Sequence, residues 1–98
     1  MNNTDRIHVI VSGEVQGVGF RMFVLQAASA LGATGWVRNT LPGDVEVLAE
    51  GRRDTLDNLV QILAQGPRTA QVSHLDVQWL PATGEFHQQP LPAEIENN

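Results

Sequence analysis

The chain has 98 residues, the size of one domain built round one core. Apolar residues make up 42% and charged residues 17%, a globular composition, and the absence of cysteine excludes disulfides and thiolate metal sites. Net charge is −5 and all six basic residues are Arg. That balance argues against nucleic acid, yet it leaves room for a small anion held by one Arg and a few aimed N–H groups. No apolar run reaches the length of a membrane span, and Met1 to Arg6 lacks a signal-peptide core. The expectation is a cytoplasmic protein.

Taken in chain order, the first strand is predicted over Ile7–Ser12, where Ile7, Val9 and Val11 alternate with His8, Ile10 and Ser12. A turn-rich connection follows Gly13. The first helix begins near Phe20, with Phe20, Phe23, Val24, Ala27, Ala28 and Leu31 on one face and Gly32 placed for a left-handed C-terminal cap. Thr34 to Thr40 reads as a second strand. Leu41-Pro42-Gly43-Asp44 is a turn signal, and Val45 to Glu50 is a third strand completing a hairpin. On that strand Val45, Val47 and Ala49 face the core, while Glu46 and Glu50 imply water on the other side.

Gly51 is expected to end the hairpin. Asp54 is expected to cap a second helix, with Asp57 three residues on in the manner of a capping box. Leu56, Leu59, Val60 and Leu63 form that helix's stripe, and Gly66-Pro67 ends it. Val72 to Trp79 is a fourth strand with Leu75, Val77 and Trp79 inward, and Glu85 to His87 is a possible short fifth. The order β-α-β-β-α-β predicts an α+β fold: an antiparallel sheet with both helices on one face, the ferredoxin-like sandwich. One domain is expected over 1–98, with residues 1–5 and 88–98 as frayed tails.

The chemistry is sought between Gly13 and Arg21, where a strand passes through a glycine-bearing loop into a helix start. Gly17 and Gly19 permit backbone turns that aim successive N–H groups at one point, and the helix N-terminus adds partial positive charge. Arg21 supplies a planar fork for two phosphate oxygens. Spacing alone leaves two readings open: an anion cradle, or a tight strand–helix connection beside an exposed Arg. Neither the dinucleotide fingerprint nor the P-loop pattern is present.

The run Val11-Ser12-Gly13-Glu14-Val15-Gln16-Gly17-Val18-Gly19-Phe20-Arg21 resembles the signature of the acylphosphatase family, and Gly35-Trp36-Val37-Arg38-Asn39 resembles its second signature. Ala28, Gly32, Gly43, Val45, Glu46, Glu50-Gly51, Gly66-Pro67, Ala70, Val72 and Gly84-Glu85-Phe86 match further family positions, so the likeness runs from about Ile7 to Phe86. The resemblance implies hydrolysis of acyl phosphates. It makes Arg21 the phosphoryl-binding residue, aided by the backbone of Val15, Gln16, Gly17, Val18, Gly19 and Phe20. It makes Asn39 the residue that orients the attacking water. It implies no metal and no cofactor, a small acyl phosphate as substrate and inorganic phosphate as product. A monomer acting without nucleic acid or membrane is expected.

Two departures stand out. Glu14 sits beside the loop where a neutral or basic residue is expected, and its side chain is expected to face solvent. The family's closing apolar strand is replaced by His87-Gln88-Gln89-Pro90. Among other residues, His8, His74 and His87 are too widely spaced to suggest a metal site. Trp36 and Trp79 are read as packing residues, and Arg38 should face away from Asn39. Ser12 and Thr40 lack a partner base.

The first alternative is an acylphosphatase-like anion-binding module, as found at the front of a much larger hydrogenase-maturation carbamoyltransferase. A chain of 98 residues carrying no partner domain favours the free-standing enzyme. The second is RNA binding by the same element order, which would need stacking aromatics and a basic face.

Overall fold

A computed structural model describes residues 4–41 and 43–84. Strand β1 (Thr4–Glu14) leads into helix α1 (Phe20–Leu31). Then come β2 (Thr34–Asn39), β3 (Val45–Arg52), helix α2 (Arg53–Gln65) and β4 (Gln71–Pro81). The sheet order is β2-β3-β1-β4, with every neighbouring pair antiparallel. This is the ferredoxin-like arrangement predicted. The possible fifth strand at 85–87 and the tail at 88–98 lie outside the described residues.

The alternation along β1 decides its two faces. Ile7, Val9 and Val11 are fully buried and meet Val45, Val47 and Ala49 of β3. Val37 of β2 joins them, and the helices close over this face with Phe20, Val24, Ala28, Leu56, Leu59 and Leu63. Leu75, Val77 and Trp79 also point inward, but β4 is an edge strand and leaves them half-buried. Arg53 lies over the Trp79 ring at 3.8 Å and covers part of it.

Gly32 ends α1 in the left-handed conformation, its N–H directed to the carbonyls of Ala28 and Ser29. The start of α2 differs from the reading of Asp54 as its cap. β3 continues through Gly51 and Arg52, which pair with Asp5 and Thr4, so Arg52 in extended backbone becomes the N-cap. Asp54 then stands inside the first turn, where its carboxylate accepts the Thr55 N–H at 2.9 Å. The same pairing carries β1 outward beyond Ile7–Ser12, with Thr4 and Asp5 in the ladder.

The outer face is drier than its two glutamates suggest. Glu50 is only 6% exposed. Its carboxylate accepts Arg6 Nε at 2.7 Å, Thr83 N–H at 2.9 Å and Gly84 N–H at 3.0 Å. Glu46 accepts Arg38 Nε at 2.8 Å and faces His8 Nε2 at 2.6 Å. Burial alone would raise both carboxyls. These donors outweigh it and hold both below the ordinary value of 4.5.

Candidate active site

The sheet's register brings the two sequence motifs to one end. Val11 of β1 and Asn39 of β2 both stand opposite Val45 of β3. Because β1 and β2 each run antiparallel to β3, they run parallel to each other. The loop leaving β1 therefore emerges beside the end of β2. One strand intervenes, so the two are about 9.5 Å apart, twice the ordinary strand spacing.

Two buried apolar anchors hold the loop, Val15 at its start and Phe20 at its end. Between them Gly17 and Gly19 take φ of 75° and 80°, and a Cβ at either would meet nothing within 4 Å. Glycine is needed here for backbone conformation and not for space. Gly19 is the N-cap of α1, no side chain caps that helix, and its first turn holds no acid. The helix start thus keeps its N–H groups and partial positive charge for an anion. Thr69 donates from Oγ1 to the Val18 carbonyl at 2.8 Å, engaging an acceptor that would otherwise repel one.

An open pocket of about 240 Å³ lies against this loop. Arg21 and Asn39 are the polar side chains lining it; Gly17 and Gly19 contribute backbone, and Met22 and Leu25 an apolar wall. Arg21 Nη1 is buried and has no hydrogen-bond partner among the described residues. A buried donor left in that state costs roughly 1–3 kcal/mol, and more when charged. Neither Arg21 nor Asn39 can act as a base near neutral pH. The pocket is equipped to hold an anion and to orient a neutral molecule.

The predicted site residues divide on inspection. Arg21, Asn39, Val15, Gly17, Gly19 and Phe20 all line the pocket, whereas Gln16 and Val18 do not. Gln16 instead sends its side chain to the β2–β3 turn, donating from Nε2 to the carbonyls of Thr40 and Asp44, each at 2.8 Å. Sequence reading missed this role, since a glutamine in a turn-rich loop looks like solvated surface. Arg38 faces away from Asn39, as alternation requires, and lies over the Trp36 ring at 4.6 Å. Glu14 is exposed and does not line the pocket. Among the described residues no group of three or more His, Cys, Asp or Glu converges.

Fold and site together define an α+β sandwich of ferredoxin-like topology with a pocket lined by Arg21 and Asn39 at the end of its sheet. The sequence model of the acylphosphatase family matches residues 7–89, and the chain belongs to that family. An acylphosphatase of Pelotomaculum thermopropionicum is 51% identical over 81 residues, covering 83% of this chain and 88% of that protein. The structure of an acylphosphatase from Coxiella burnetii has a TM-score of 0.85 at 39% identity, covering 94% of each chain. A longer neighbour, T. kodakarensis HypF, matches 96% of this chain but 12% of its own, at 26% identity and a TM-score of 0.76. Identity and coverage place the chain nearer to these acylphosphatases than to HypF.

Proposed function

We propose that the protein hydrolyses the carboxyl–phosphate bond of acyl phosphates. Arg21 and the N–H groups of the 15–20 loop bind the phosphoryl group, and Asn39 orients the attacking water. The observation that carries this reading is that Arg21 lines the pocket beside Asn39 and that its buried Nη1 has no hydrogen-bond partner among the described residues.

Among the described residues the pocket is lined by no carboxylate or imidazole, and this favours a bond that needs neither. A carboxylate leaving group has a conjugate acid of pKa ~4 and departs without protonation. An alkoxide would need a proton donor that Arg21 and Asn39 cannot supply. Phosphoryl transfer asks mainly for position and for stabilisation of charge on the transferring group. The guanidinium fork and the α1 N-terminus offer that stabilisation. Asn39 can hold a water through its carbonyl oxygen, its NH₂ or both. Arg21 cannot ligate a metal and Asn39 offers a single neutral carbonyl oxygen, so on this reading the guanidinium takes the part a cation would play and no metal or cofactor is called for. On the same reading the protein acts in the cytoplasm as a monomer, without nucleic acid or a membrane. Its net charge of −5 supports the first exclusion. Among the described residues no helix is long and apolar enough to cross a bilayer.

The test is hydrolysis of an aryl acyl phosphate in the presence of a chelator, wild type beside Asn39→Ala. Turnover should resist the chelator and fall about 10²-fold in the variant, the usual effect of a lost catalytic alignment. Inhibition by inorganic phosphate should persist. A folded wild type that binds phosphate and hydrolyses nothing would favour the binding-module reading instead.

A further inference from the structure

The loop of the phosphoryl cradle follows β1 and Asn39 ends β2, strands that are not neighbours in the sheet. No ladder hydrogen bond joins them directly, because β3 stands between them. Gln16 crosses that gap. Its Nε2 donates to Thr40, the residue after Asn39, and to Asp44, each at 2.8 Å. The turn it reaches is already closed, since the Thr40 N–H donates to the same Asp44 carbonyl at 2.9 Å. On the loop's other flank, Thr69 holds Val18 from the segment between α2 and β4.

We propose that Gln16 is a positioning residue: its side-chain amide braces the anion loop against the β2–β3 turn and so sets where Asn39 stands relative to the cradle. The proposal rests on the reading of Asn39 as the residue that orients water. Gln16 is not itself a phosphate ligand through its side chain. Both protons of its NH₂ go to the two carbonyls, and the remaining Oε1 is an acceptor that an anion would avoid. Its side chain is exposed and does not line the pocket, so its effect on the reaction passes through Asn39.

A double-mutant cycle tests this, with kcat and KM for an aryl acyl phosphate and Ki for inorganic phosphate read for each protein. Gln16→Ala should lower kcat about tenfold, part of the roughly 10²-fold sensitivity of catalysis to small misplacements. Ki should stay within about twofold, because Arg21 and the loop N–H groups remain. In an Asn39→Ala background the same change should move kcat by less than about twofold, since no amide is left to place. Gln16→Glu keeps the size but turns a carboxylate toward two carbonyls, and should lower kcat at least as far as Gln16→Ala. Equal losses in both backgrounds would overturn the proposal, as would wild-type kcat in Gln16→Ala or a Ki that weakens in step with kcat. Those outcomes leave the assigned activity standing. A folded wild type without turnover would remove the activity and the brace together.

Discussion

Arg21 carries a buried guanidinium nitrogen that has no hydrogen-bond partner among the described residues. Such atoms are rare in native proteins and concentrate where a ligand completes the bonding. Replacing the fork by a point charge separates function from stability. Arg21→Lys keeps the charge but cannot make two parallel hydrogen bonds to one phosphoryl group. It should lower kcat/KM for an aryl acyl phosphate by about 10²–10³-fold, the effect of losing an aimed donor at a developing charge. The thermal midpoint should hold or rise, because an unsatisfied donor is removed. Wild-type kcat/KM in that variant would take Arg21 out of the reaction. At this scale Arg21 and Asn39 were legible as residue types in two motifs. The side chain of Gln16 was not, because its partners are backbone carbonyls of Thr40 and Asp44, and no spacing rule encodes them.

Elements transmit position to those residues. Gly35 begins the run that ends at Asn39, and a Cβ there would lie 1.8 Å from the Leu48 carbonyl oxygen of β3, at φ of 144°. Gly35→Ala must therefore push β2 away from β3 or strain the backbone. A loss of about 3 kcal/mol is expected, at the upper end for a residue held in such a conformation. Urea unfolding of the two proteins would measure it, and an unchanged midpoint would mean that β2 can shift freely. The helical stripe of α1 and its Gly32 cap were readable from periodicity. The start of α2 was not: Asp54 carries the right chemistry for a cap, but pairing of Gly51 and Arg52 with β1 moves the helix start to Arg53.

Across the whole molecule, the outer face of the sheet carries the acid sensitivity. Glu46 is held low by hydrogen bonds and charge from His8 and Arg38 against the opposing effect of burial. Glu50 is held low by the Thr83 N–H, Arg6 and the Gly84 N–H, again against burial. Both folded values lie below 4.5, the value at which the unfolded side chains take up protons. The stability these carboxylates contribute is complete above that pH and is lost as pH falls through the folded values. Thermal midpoints should decline below about pH 4.5, and Glu46→Gln with Glu50→Gln should flatten the decline. An unaltered pH profile in the double variant would place the acid sensitivity elsewhere.

What the sequence determined by itself is local and periodic. Alternation chose the inward faces of β1 and β3, the 3.6-residue repeat chose the buried face of α1, and two short motifs, through their resemblance to a family, marked Arg21 and Asn39 as candidates. The tertiary structure decided what depends on register between distant segments. It set Val11 and Asn39 opposite the same Val45, brought Gln16 to the β2–β3 turn, and closed Glu50 under Arg6 and Thr83. A residue's own chemistry is written at its position, whereas its partners come from pairing across the sheet, which no single stretch of sequence contains.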